Sequence, residues 1–418
     1  MRSFLVLALL SSPASAENWP QWRGPKNDGT SGEKNLPSEW SETKNIVWKA
    51  KMPGPGAATP CIWDNKIFLT AVAGDKLVVF CVGIDGKEKW KKEIGHGNKS
   101  ARNDEGNSAS ASCSTDGKLV FAFVGDGTLS AFTLDGEPKW TLDTQKQYGE
   151  YKIQFGAHWT PVLHKGFLYF TLMHRGAQDL LKIEAATGKV VWKVKRASDA
   201  PAGVESPDVY TSPFVWEKGD QALLIVHGND YCTAHKLDDG SEAWRVTELN
   251  PKKTYNRAWR AVASPLVTPD LIVIPSCKNG VTVAIDPSKA KGEIGPGNPA
   301  ELWRHLKNTP DVPSPLLIDG VLYIWKETQN LMAYKSSTGE TLFTEKLTNT
   351  RQRANPVAGD GKVYLVGREG DMAVLKTGEA FELISKPKLP DVFTASPAIS
   401  NGRIYLRGFD YLWCIGAK

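Results

Sequence analysis

The 418-residue sequence is poor in the groups from which many active sites are built. It has seven histidines and six cysteines. The histidines fall at no metal-ligand spacing, and no cysteine lies in a CxxC or beside a histidine in a signature motif. HExxH and GxSxG are both absent, which removes the zinc-protease and nucleophile-elbow hydrolase patterns. No run of basic residues is interleaved with aromatics, and a formal net charge of +5 is spread thinly along the chain. Nucleic acid is therefore not an expected partner. After the first residues, no apolar run approaches the roughly 20 that a spanning helix needs. No stretch repeats apolar residues at the helical period of 3.6, so a helical solenoid has no support.

The beginning of the chain reads as a processing segment. Arg2 supplies a positive end, Phe4 to Leu10 a short apolar run, and Ala14-Ser15-Ala16 a small-x-small cleavage site. Residues 1–16 are expected to be a signal peptide, residues 17–44 an N-terminal strap, and 45–418 the folded domain. No cysteine follows the cleavage site, so a lipid anchor is not indicated. The expected localisation is periplasmic or secreted, with the protein a monomer. Six cysteines in an exported chain permit 15 disulfide pairings, and the sequence does not choose among them. Cys81 and Cys414 occupy a repeat position held elsewhere by Ala131, Ala234, Ala284, Ala333 and Ala373. That marks them as small core residues.

What is abundant is repetition. DGKEKW at 85–90 returns as DGEPKW at 135–140, TGKVVW at 187–192, DGSEAW at 239–244 and TGETLF at 338–343. A sixth copy, ending at Trp303, has lost its glycine to an insertion. A second phrase sets the period: TPCIWDNKIFL from Thr59, TPVLHKGFLYF from Thr160, SPLLIDGVLYI from Ser314, NPVAGDGKVYL from Asn355 and SPAISNGRIYL from Ser396. With looser copies at 112, 213 and 265, the anchors lie at 60, 112, 161, 213, 265, 315, 356 and 397, a spacing of roughly 48. Each copy holds a short strand after the proline, a tight turn, a β-branched and aromatic strand, a third strand with the small residue, and a fourth after the glycine turn. Four antiparallel strands at this period make a propeller blade. The eighth copy stops after its third strand, and Asn45 to Lys49, with Trp48, supplies the missing one. The fold class is thus an all-β, eight-bladed propeller closed by its N-terminal strand, which leaves no open edge at the seam.

The phrase Ala-x-x-x-Thr-Gly-x-x-x-Trp resembles the tryptophan-docking repeat of the quinoprotein-type, pyrroloquinoline quinone (PQQ)-like propellers, across residues 45–418. Residues 333–343 carry the spacing with Phe343 for tryptophan, and 182–192 carry it with Lys182 at the alanine place. The resemblance implies that Trp48, Trp90, Trp140, Trp192, Trp244 and Trp303 are structural, each docking on the next blade. The leader WPQWRGP, 19–25, is similar to the head of exported bacterial members. Two functions share this propeller: the dehydrogenase that holds PQQ with calcium, and the BamB-like scaffold. The dehydrogenases carry a disulfide between adjacent cysteines, and no two cysteines here are neighbours. The expected function is therefore an exported, non-enzymatic scaffold for envelope proteins or peptides, with no catalytic residue, metal or cofactor. The alternatives are a PQQ-dependent dehydrogenase, which alone brings PQQ and calcium, and a secreted glycan- or peptide-binding module.

One face of such a ring carries the tight DG and TG turns; the other carries the blade-to-blade connections. Those near 95–111, 143–160, 196–212 and 249–264 are long, and those near 307–314, 348–355 and 390–396 are short. Binding residues favour long loops, so the candidate mouth is on that face. Pro-Asp-Val occurs three times there, with Asp208, Asp311 and Asp391, entering blades 4, 6 and 8. The connections into blades 3, 5 and 7 carry His158 with Trp159, Arg257 with Arg260, and Arg351 with Arg353. The alternation predicts either a structural ring, in which aspartates cap turns and neighbouring arginines neutralise them, or an arginine-lined mouth for an acidic ligand.

Overall fold

The computed structural model describes residues 16–101 and 106–417. The expected signal peptide falls almost entirely outside them. Eight antiparallel sheets of four strands follow one another in chain order. Blade 1 is Cys61–Trp63, Lys66–Ala73, Lys76–Gly83 and Glu88–His96. The innermost strands of blades 2 to 8 are Ser114–Thr115, Val162–His164, Phe214–Lys218, Leu266–Val267, Leu316–Ile318, Val357–Gly359 and Ala398–Ser400. Blade 8 is completed by Ile46–Lys51, antiparallel to Tyr411–Ile415 with Trp48 opposite Cys414. The innermost strands of blades 8 and 1 are in contact, so the circle is closed.

The burial pattern explains why these segments read as they do. The second and third strands are covered on both faces by neighbouring blades, so Ile67 to Val72 and Leu77 to Val82 are continuously buried. The fourth strands lie at the rim and mix exposed with half-buried residues, as in Glu88–His96. Asp319-Gly320, Asp360-Gly361 and Asn401-Gly402 have positive φ at both positions, the geometry of the two-residue hairpin turn whose twist matches the strands.

The recurring glycine has a second task besides turning the chain. Trp140 of blade 2 donates its indole N–H to the Ala185 carbonyl of blade 3 at 2.8 Å. Its ring lies on Gly188, where a Cβ would come within 2.7 Å. Trp48 meets Gly86, Trp90 meets Gly136 and Trp303 meets Gly339 in the same way, with indole bonds to Ile84, Leu134 and Ser336. Trp192 bonds Leu237 and lies beside Gly240. Across the sheet the aromatic faces the small residue: Trp90 opposite Cys81, Trp140 opposite Ala131, Trp303 opposite Ala284. Trp244 is the exception. The insertion after blade 5's third strand adds Gly292–Ile294 as a parallel fifth strand to blade 4. Trp244 is covered by it, and its indole N–H has no partner. All six cysteines are buried and free of disulfides.

The WPQWRGP segment crosses the turn face. Trp19 pairs with Ile62 of blade 1, Pro20 accepts from Thr115 N of blade 2, and Gln21 accepts from Leu163 N of blade 3. Trp22 packs on Phe214 of blade 4. Arg23, buried, donates to the carbonyls of Asp28 and Pro315, at 2.8 and 2.7 Å. Thr30–Ser31 then adds in parallel to the inner strand of blade 7. Glu33 accepts from Asn401 N and Gly402 N of blade 8.

Candidate functional site at the mouth

Around the axis the residues entering the inner strands form a polar belt. Thr59, Ser112, Thr160, Ser212, Ser264, Ser314, Asn355 and Ser396 are linked in order. Each backbone N–H donates to the next side-chain oxygen at 2.6 to 3.1 Å. Seven links join eight blades. The proline that follows most of these residues lacks an N–H and is tolerated at the first position of a strand. The belt corrects the repeat register in blade 2. Ser112 is equivalent to Thr59, so Cys113, and not Ser112, stands at the proline position.

Above the belt an axial cavity of about 130 Å³ opens toward the mouth. His158, Arg260, Asp311 and Arg353 line it together with Phe155 and Tyr210. A second cavity of similar size, about 130 Å³, continues along the axis past His158 and the belt to Trp22 of the strap. The Arg260 guanidinium lies 4.8 Å from the Phe155 ring centroid and donates to Glu205 at 2.7 Å. The Tyr210 hydroxyl accepts from Phe155 N at 3.2 Å. Burial holds the His158 imidazole at about 4, so the ring is neutral at physiological pH. Burial pushes the Asp311 carboxyl up, against the pull of Arg260, Lys278 and Arg353.

Four of the nine expected mouth residues thus share one cavity, and five do not. Trp159 is fully buried, donates to the Val209 carbonyl at 2.6 Å and packs on Phe170 and Tyr151. It is a core residue, and its expected place on the mouth surface is corrected. Asp208 is held by Arg175 through two bonds of 3.0 and 2.8 Å. Burial still raises its carboxyl, with Arg175 opposing. Asp391 accepts from the N–H groups of Val392, Asp410 and Tyr411 and from the Trp413 indole, the turn-capping role. Arg257 is exposed and donates to the Ala202 carbonyl at 2.9 Å. Arg351 is exposed, and its carbonyl accepts from Arg368 N. The identical tripeptides therefore do three different things. The actual partners, Arg175 and Glu205, stand outside any repeated phrase. The belt could have been found: its hydroxyl residue precedes the proline in nearly every copy.

The family model described as outer membrane protein assembly factor BamB matches residues 125–293. BamB from Moraxella catarrhalis superposes with a TM-score of 0.64 at 11% identity, covering 88% of this chain and 99% of that one. A europium-containing methanol dehydrogenase gives 0.71 at 10% identity, covering 94% and 90%. The quinohemoprotein alcohol dehydrogenase of Comamonas testosteroni gives 0.67 at 12%, covering 96% and 81%. No curated protein matches the sequence. What these proteins share with the chain is the fold, an eight-bladed propeller of PQQ-like repeats.

Among the described residues no group of three or more histidine, cysteine, aspartate and glutamate side chains is arranged to hold a metal ion. The axial cavity, about 130 Å³, is well below the roughly 300 to 1,000 Å³ typical of cofactor sites.

Proposed function

We propose that the protein is an exported scaffold of the cell envelope that grips a protein partner at its loop-rich mouth. The observation that carries this reading is the inequality of the two ends of the axis. One end is sealed by the strap and tight turns. The other gathers His158, Arg260, Asp311 and Arg353 with two aromatic rings around one opening. Aromatic residues and arginine are the side chains enriched at interface hot spots. The likeness to BamB, an outer membrane protein assembly factor, supports a role in handling envelope proteins. A photo-crosslinking residue placed in living cells at Val312, at the mouth, should yield a discrete protein adduct. The same residue at Asp319, on the turn face, should yield none. Adducts only from position 319, or from neither, overturn the proposal. Dye reduction by the protein supplied with PQQ and calcium would favour the dehydrogenase instead; none is expected.

A further inference from the structure

A cleft of about 870 Å³ lies away from the axis, on the flank of blades 4 and 5. It sits where the repeat is broken. Glu293 of the inserted strand forms one wall, Arg245 of blade 4's fourth strand and Thr247 just beyond its end line it, and the connections around 197–201 and 248–257 enclose it. Departures from a regular pattern are where function is expected to reside.

The polar groups of this cleft are fixed before any ligand arrives. The Tyr231 hydroxyl donates to Asp199, which also takes Lys252 Nζ at 2.8 Å. The Tyr255 hydroxyl donates to Asp230 at 2.6 Å, and Asn250 Nδ2 reaches the other oxygen at 3.3 Å. The Arg245 guanidinium is gripped by both oxygens of Glu242 and lies 4.6 Å from the Tyr231 ring centroid. The lining holds four carboxylates against three cations, and one of those cations, Arg245, is already neutralised by Glu242. Glu248 and Glu293 have no ion pair among the described residues and keep acceptor oxygens for a ligand.

We propose that this cleft binds a short stretch of neutral oligosaccharide. A polyanion such as a nucleic acid needs an excess of positive charge, and the walls carry none. A largely apolar ligand would desolvate bonded polar groups without replacing their partners. A polyhydroxyl chain suits fixed, mixed donors and acceptors, because the side chains lose little freedom on binding. Its hydroxyls donate to the Glu248 and Glu293 carboxylates in charge-assisted bonds, and exposed Arg257 donates to its oxygens. The inference is independent of the mouth and of any partner there.

Calorimetric titration of the full-length protein with cellotetraose, maltotetraose and chitotetraose tests it. At least one should bind with a Kd in the millimolar range or tighter. Glu293→Gln, an exposed side chain in no ion pair among the described residues, should weaken that binding at least tenfold without moving the melting temperature. Tyr255→Phe should weaken it as well, and Arg353→Ala at the mouth should leave it unchanged. Binding by none of the three sugars, binding insensitive to both cleft variants, or binding lost with Arg353→Ala would each overturn the proposal.

Discussion

Five blade interfaces, from 8/1 through 3/4 and again at 5/6, are docked alike: a tryptophan of one blade lies at the turn glycine of the next, its indole N–H on a carbonyl. The interface between blades 4 and 5 has neither the glycine nor the bond. There an inserted strand covers Trp244 and opens a cleft beside it. The docked interfaces hold most of the circle; 6/7, where Phe343 packs on Phe381, and 7/8 also lack the docking tryptophan, and of these three 4/5 is the one that carries an inserted strand.

The strongest way to break this comparison is to give the docking glycine a side chain. Gly188 has φ +74 and Trp140 within 2.7 Å of the Cβ position. Gly188→Val combines left-handed backbone strain of roughly 1–2 kcal/mol with overpacking of roughly 1–3 kcal/mol. The urea midpoint should drop by the equivalent of both. Gly292, in the insertion, has φ +57 and nothing within 4 Å. Gly292→Ala should cost about 1 kcal/mol, from the backbone alone. Equal losses at the two positions would mean that docking is not what distinguishes them.

Acid should sharpen the contrast between halves of the ring. His174, His227 and His235, all in blades 3 and 4, are held by burial at about 4, below the usual 6.5. Their folded pKa is depressed, so the stability of keeping them neutral is full above pH 6.5 and is lost as pH falls from 6.5 toward 4. Blades 6 to 8 contain no histidine. Hydrogen exchange, corrected for the intrinsic rate, should therefore show blades 3 and 4 losing protection between pH 7 and 5 ahead of blades 6 to 8. A uniform loss would contradict this.

The smallest effect separates the tryptophans themselves. Trp140→Phe removes the bond to Ala185 and should cost about 1 kcal/mol. Trp244→Phe removes an indole N–H that bonds nothing, and the part of its cost that comes from hydrogen bonding should be near zero. Urea unfolding of the pair, compared at equal slope, reads the difference.

Much of the ring was legible because its causes are local and repeated. Proline, turn glycine, small residue and aromatic recur at fixed offsets, and even the closing strand with Trp48 stood out as a missing part. The site was less legible for the same reason: repetition in sequence is not repetition of role. Asp208, Asp311 and Asp391 share one tripeptide but meet an arginine pair, an axial cavity and a set of backbone N–H groups. Trp159, adjacent to His158, points into the core while its neighbour lines the axis. Adjacent residues in an extended segment face opposite ways, and only the packing says which way is in.

The sequence by itself determined the blade count, the strand order within each blade, five of the six expected docking tryptophans and the face that carries the long connections. Each of these follows from periodicity and from which residues tolerate turns and burial. The tertiary structure alone decided that Arg260 pairs with Glu205, that the belt of hydroxyls circles the axis, that the strap ties blades 1 to 4 to blades 6 to 8, and that the insertion becomes a fifth strand. Those contacts join residues that are distant in the chain and carry no shared pattern, so they exist only once the ring has closed.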